Sequence, residues 1–263
     1  MNQDPGEIFM NIVVCAKQVV DVGEIKINPS TNKPILDGIP KKISDIDKNA
    51  VEEAIKIKEK LGGKITIMTV GPPDAKEKIK ELLAMGADEG VLIPRPANAD
   101  YHVVSKLLSK GIEKLGGVDL VMCGEASIDM FSGQVGPRIA GFMKWPQLTY
   151  AFKVEPEADK VKARRNMGDR MVETESSYPA VITVTKEINE PRLPSLMQIL
   201  GSASKPIHDW SLGDIGMEGE GPKVVEKDLK GIKMERKNVI FKDDLDEAVA
   251  QLAERLSKDG LLG

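Results

Sequence analysis

Val118-Asp-Leu-Val-Met-Cys123-Gly124-Glu125-Ala126-Ser127-Ile128-Asp129-Met130-Phe131-Ser132-Gly133-Gln134-Val135-Gly136-Pro137-Arg138 is the stretch that decides the fold. It starts as a short apolar run and passes through a loop of small and polar residues. It then opens a helix, expected over 132–143. A strand of this kind, followed by a helix, belongs to a parallel α/β sheet. In such sheets ligands bind outside the carboxyl ends of the strands. The start of a helix also offers unpaired backbone N–H groups and partial positive charge, which suit phosphate. Ser132, Gly133, Gln134 and Val135 are placed to supply those amides, and the Ser132 hydroxyl can add a bond. The pattern alone leaves a phosphate loop and a plain strand-to-helix turn equally open.

The same alternation extends outward. Residues 10–16 read as a buried strand. Asp47 is a candidate cap for a helix to about Leu61, where Gly62-Gly63 stops it. Lys64 to Val70 is a second strand, and Gly71-Pro72-Pro73 turns into a helix ending at Met85-Gly86. Val91–Ile93 is a third strand, 99–115 a third helix and Val118 to Cys123 a fourth strand. Strands separated by helices predict a parallel sheet with helices on both faces. From Thr149 the helices stop. Tyr150–Val154, Lys160–Arg165, Met171–Glu175 and Ala180–Val184 read as antiparallel additions at one end. Residues 1–9 read as an N-terminal extension, 10–190 as the α/β domain and 191–263 as an extended arm with a terminal helix over 243–258. Leu245, Ala248, Val249, Leu252 and Leu256 share one face of that helix, which must pack back or meet a partner.

Composition excludes several functions. The net charge of −4, with acids and bases mixed, speaks against nucleic acid, and 4% aromatics leaves few stacking platforms. No apolar run approaches the ~20 residues of a membrane helix. The opening residues have neither a basic nor an apolar region of a signal peptide. Two cysteines, Cys15 and Cys123, suggest neither a disulfide framework nor a metal cluster and fit a reducing cytoplasm. His102 and His208 are the only histidines and form no metal pair. No nucleophile elbow, Walker loop or Gly-x-Gly-x-x-Gly is present. The other pieces at the sheet's carboxyl edge are Ala16-Lys17-Gln18 and Gly71-Pro72-Pro73. Ala16 is small enough to let a flat ring approach backbone. Each piece alone is equally a plain turn, and a stand-alone adenine-nucleotide-binding or hydrolase domain remains an alternative. Such a domain has no need of an arm or an orphan helix.

Set in order along the chain, Val14-Cys15-Ala16-Lys17-Gln18-Val19-Val20-Asp21, Ala50-Val51-Glu52-Glu53-Ala54, Gly71-Pro72, Ala84-Met85-Gly86-Ala87-Asp88, Ile128-Asp129, Gln134-Val135-Gly136 and Pro191-Arg192 resemble the electron-transfer flavoprotein β subunit. The resemblance implies a heterodimer with an α subunit that carries a flavin domain. It implies a crevice holding FAD or, alternatively, AMP. Ala16 and Val70 would line the adenine, Met130 through Val135 would wrap the phosphates, and Ser44 and Asp129 belong to the same site. The family usually has Asn-Pro-Phe or Asn-Pro-Tyr where this chain has Ser44-Asp45-Ile46, and a basic residue with Gln-Ala where it has Glu125-Ala126-Ser127. Arg192 to Ile199 aligns with the family's recognition loop, with Leu196 at the partner-docking anchor. Gln134-Val135-Gly136-Pro137 resembles the bifurcating branch. That branch implies NADH as donor and, as redox partners, a dehydrogenase, quinone oxidoreductase, ferredoxin or flavodoxin.

Overall fold

The computed structural model describes residues 9–219, 221–231, 238–242 and 244–262. The expected extension lies outside these residues except for Phe9, as do Glu220 of the arm and Asp243 at the head of the expected terminal helix. In chain order the elements are β1 (Met10–Cys15), β2 (Gln18–Val20), β3 (Lys26–Ile27), β4 (Pro34–Ile35), β5 (Lys41–Ile43), α1 (Asp45–Leu61), β6 (Gly63–Gly71), α2 (Ala75–Met85) and β7 (Glu89–Pro94). Then follow α3 (Tyr101–Leu115), β8 (Leu120–Gly124), α4 (Val135–Met143), β9 (Gln147–Pro156), β10 (Lys160–Asn166), β11 (Met171–Ser177), β12 (Ala180–Val184), α5 (Leu196–Ser202), β13 (Ile207–Asp209) and α6 (Leu245–Lys258).

Nine strands form one sheet in the order β11-β10-β9-β12-β8-β1-β6-β7-β13. The strands from β9 through to β13 in this order run parallel to their neighbours. Side chains along β1 alternate between two cores, as the pleat requires. Ile12 and Val14 join a cluster with Ala50, Val51 and Ile55 of α1 and Ile79, Leu82 and Leu83 of α2. Val13 and Cys15 join a second cluster with Val103, Leu107 and Ile112 of α3 and Ile139 and Ala140 of α4. Both faces are therefore covered, which is why β1, β8 and β12 are apolar almost throughout. The α1–β6 link is a tight one. Gly63 has φ +134°, and a Cβ there would lie 2.1 Å from the Met10 carbonyl oxygen, so only glycine fits.

One expectation needs correction. Ala180–Val184 is an interior parallel strand, with Val181 paired to Val121 and Thr183 to Cys123. All five of its residues are buried, the signature of a strand covered on both faces. Within the nine-stranded sheet the antiparallel pairing is confined to the β9–β10–β11 meander, where β10 pairs antiparallel with both neighbours; the small β2–β5 and β3–β4 pairs are antiparallel too. Beyond residue 190 the chain stays attached to the core. α5 packs on α2, Lys205 Nζ donates to the carbonyls of Leu83 and Ala87 at 2.8 and 2.6 Å, and β13 extends the sheet beside β7. α6 buries none of its described residues.

Candidate functional site

Strand order reverses at β1. The chain leaves β1 toward β6 and β7, then returns through α3 to β8 on the other side. The carboxyl ends of β1 and β8 therefore lead into separate loops, and the crevice between such loops is where sheets of this topology bind ligands. The loop after β1 begins at Ala16 and Lys17, and the loop after β8 runs from Glu125 to Gln134.

Asp47 joins these two loops. Its carboxylate, on the first turn of α1, accepts the Lys17 N–H at 2.8 Å and the Gly124 N–H at 3.3 Å. A Cβ on Gly124 would stand 2.6 Å from Asp47 Oδ1, so a glycine at the end of β8 is what lets the carboxylate approach. Burial pushes the Asp47 carboxyl up to about 7, against the pull of the two backbone N–H groups. The expected helix cap is thus a brace beneath the crevice. The capping position belongs to Ser44.

Ser44 is fully buried. Its N–H donates to the Lys17 carbonyl at 3.0 Å, and its Oγ accepts the Ile128 N–H at 3.3 Å. This hydroxyl ties the loop after β8 to the start of α1. Ala16, buried at the tip of β1, donates to the Met68 carbonyl at 3.1 Å and accepts the Thr69 hydroxyl at 3.0 Å. Val70 lies half-buried near the end of β6, with Ile93 as its register partner.

Across the crevice, Lys17 Nζ donates to both oxygens of Asp129 at 2.8 and 2.7 Å and to Ser127 Oγ at 3.3 Å. Burial alone would raise the Asp129 carboxyl. The hydrogen bonds from Lys17 and Ser127 and the Lys17 charge outweigh it and hold Asp129 below the usual carboxylate range. Glu125 goes the other way, raised by burial and by the neighbouring Glu187 charge. Lys17 is the residue that links Ala16, Ser44 and Asp129, through its backbone and its side chain. A cation placed directly after a strand that ends at a crevice was the available signal for it.

Met130 and Phe131 follow, exposed at 47% and 66%, with Phe131 in the left-handed region at φ +45°. Ser132 and Gly133 make the turn, Gly133 with φ +63°. A Cβ on Gly133 would meet the Tyr150 hydroxyl at 3.5 Å and the Glu125 carbonyl at 3.7 Å, so the glycine leaves a hollow at the turn. Helix α4 begins later than expected, at Val135, with Gln134 as its cap residue. The Gln134 side-chain oxygen accepts from Arg138 at 3.0 and 2.8 Å. The first helical bond runs from the Arg138 N–H to the Gln134 carbonyl at 3.0 Å, so the amides that α4 leaves without an intrahelical partner are those of Gln134, Val135 and Gly136, because Pro137 has no N–H. Gly136 lets this helix end sit against β12, since a Cβ there would lie 2.4 Å from Thr183 Cγ2.

The arrangement brings together the small, buried Ala16, the helix-end amides of α4 and the turn at Ser132 and Gly133. The Lys17 ammonium is already matched by Asp129. A phosphate placed at α4 would therefore meet backbone N–H groups more than side-chain charge. Among the described residues no cluster of three metal-ligating side chains occurs. Leu196 stands apart from the crevice. It opens α5, which Ser195 and Gln198 cap reciprocally, and it is 70% exposed.

Comparison with known proteins follows the same line. The family model "Electron transfer flavoprotein domain" matches residues 35–215. The electron transfer flavoprotein subunit beta of Thermoanaerobacterium thermosaccharolyticum is 41% identical over 94% of this chain and 98% of its own length. The subunit of the same name from Clostridium acetobutylicum is 38% identical over 95% of this chain and 99% of its own. The caffeyl-CoA reductase-Etf complex subunit CarD of Acetobacterium woodii is 41% identical over 80% of this chain and 82% of its own.

Proposed function

From the premise that this chain belongs to the electron transfer flavoprotein family, as a β-type subunit, we propose that it is the nucleotide-holding half of a heterodimer that passes electrons between a donor and redox partners. The observation that carries this reading is the switch-point crevice, where the loop after β8 and the first turn of α4 face the end of β1. The dinucleotide FAD is the preferred occupant and AMP the rival. Ala16 and Val70 would bound the adenine, and the segment from Met130 to Val135 would enclose the phosphates. Bound FAD would supply the electron exchange. The chain's own part is to aim the Val135 and Gly136 amides, to hold Lys17 against Asp129 and to keep both loops registered through Asp47 and Ser44.

Two observations favour the bifurcating form of this activity, with NADH as donor and a low-potential acceptor such as ferredoxin or flavodoxin beside a high-potential one. One is Gln134-Val135-Gly136-Pro137, whose proline stiffens the first turn of α4 at no cost in hydrogen bonding. The other is the 41% identity to a subunit of a caffeyl-CoA reductase-Etf complex. The α subunit would cover α6, where Leu245, Val249 and Leu252 are exposed; obligate interfaces often bury about 2,000 Å² or more. No helix among the described residues is long and apolar enough to cross a membrane, and we assign the pair to the cytoplasm. Counting released cofactor from the purified αβ pair decides the matter. Two FAD and no AMP is the expected result, one FAD with one AMP reduces the protein to a simple carrier, and no nucleotide from the crevice ends the reading.

A further inference from the structure

The chain has two cysteines, 108 residues apart in sequence, and the fold makes them neighbours. Cys15 ends β1, Cys123 lies one residue from the end of β8, and the two are register partners across the parallel pair. In-register residues of parallel strands point to the same face, and both thiols lie in the core beneath α3 and α4. Both are free. The adjacent Cys15, followed by burial, raises the Cys123 thiol well above the ordinary thiol range.

Neighbouring strands stand about 4.8 Å apart, inside the Cα separation of roughly 4.4–6.8 Å that a disulfide spans. The Cβ atoms of such a pair run side by side, so they start farther apart than the roughly 3.8 Å a relaxed disulfide prefers. Closing the bond draws the two strand ends together. A bond that stores strain has a more oxidising potential and is easily reversed. We propose that Cys15 and Cys123 are a reversible oxidation site, forming an intrachain disulfide that links β1 to β8 under the crevice. The oxidant is hydrogen peroxide, small enough for thiols held in the core. One thiol, as its thiolate, attacks a peroxide oxygen and becomes a sulfenic acid, and the other oxygen leaves as water. The second thiol then attacks that sulfur and releases its oxygen as a second water. Two S–H bonds and one O–O bond are lost, one S–S bond forms, and the peroxide leaves as two waters. The linkage does not depend on what the crevice binds.

The site also has a lever. The position of a Cβ on Gly136, in the first turn of α4, is 3.8 Å from Cys123 Sγ, and the residues after the two thiols, Ala16 and Gly124, begin the braced loops. Oxidation would act on both sides of the crevice at once.

The test uses the full-length chain, with its partner subunit bound. The complex is treated with hydrogen peroxide, quenched with catalase, denatured, alkylated with N-ethylmaleimide and digested with trypsin without reduction. Cleavage after Lys17, Lys114 and Arg138 places each cysteine in its own peptide, 1–17 and 115–138. The expected product is the cross-linked pair of those peptides, with alkylation of this chain falling from two sites to none and returning to two after dithiothreitol. Single variants Cys15→Ser and Cys123→Ser should yield no cross-link. Two alkylated thiols after treatment, two cysteines carried to sulfinic or sulfonic acid without a cross-link, or a disulfide-linked dimer of this chain would each overturn the proposal.

Discussion

Lys17 Nζ and Asp129 Oδ2 lie 2.7 Å apart across the mouth of the crevice, joining the loop after β1 to the loop after β8. Both side chains are partly exposed, so the pair contributes little to stability. Its effect is local. It matches the Lys17 charge with a carboxylate, and it ties the two loops together.

Replacing Asp129 with Asn should therefore tighten nucleotide binding, because Lys17 is left free to meet phosphate. The expected gain is about fivefold, corresponding to about 1 kcal/mol, measured by calorimetric titration of AMP into nucleotide-stripped protein. Unchanged or weaker binding would show that Lys17 does not face the phosphates. Lys17→Met should have the opposite effect and should also return the Asp129 carboxyl toward its ordinary range.

Asp47 predicts a pH dependence. Its folded-state value of about 7 lies above the ordinary 3.8, so the folded chain holds this proton more tightly than the unfolded chain does. Its contribution to stability is most favourable below about pH 4 and declines as pH rises to about 7. Asp47→Asn cannot titrate. The melting temperature of the parent minus that of the variant should fall across this window and level off above it. A flat difference between pH 4 and 8 would be incompatible with a buried, proton-holding Asp47.

At Gly136 the forecast concerns packing. Gly136→Ala should destabilise the fold by about 1–3 kcal/mol, since the new methyl group meets Thr183 Cγ2 at 2.4 Å. Thr183→Ser removes that methyl and keeps the hydroxyl that accepts the Tyr150 N–H at 3.1 Å. The double variant should recover most of the loss in chemical denaturation. Additive losses would place the strain elsewhere.

The segment expected to dock redox partners can be tested separately from the crevice. Arg192 is anchored by Glu52 at 2.8 Å and Glu59 at 2.6 Å, while Leu196 beyond it is largely exposed and opens a reciprocally capped helix. Leu196→Ala should slow electron transfer to the physiological partner by about tenfold, the size expected for losing about 1.4 kcal/mol at an apolar anchor. Cofactor content and melting temperature should stay as in the parent. A variant that transfers electrons at the parental rate would remove Leu196 from the docking surface.

Much of this was present in the chain itself. The apolar run at 10–16, the Gly62-Gly63 stop and the strand–loop–helix at 118–138 carry local periodicity and turn chemistry, and these depend only on nearby residues. They were enough for a parallel α/β sheet and for choosing the loop that bears the candidate site. Tertiary structure decided the rest. Ala180–Val184 has the composition of any buried strand, and only its neighbours, β8 and β9, make it interior and parallel. Asp47 reads as a helix cap from its neighbours in sequence, yet its partners are Lys17 and Gly124, 30 and 77 residues away. Cys15 and Cys123 look like two isolated core thiols until the strand order sets them in register. Local preference is encoded residue by residue. The side of the sheet to which the chain returns after α3 depends on how all the apolar faces are buried at once, and no single segment contains that information.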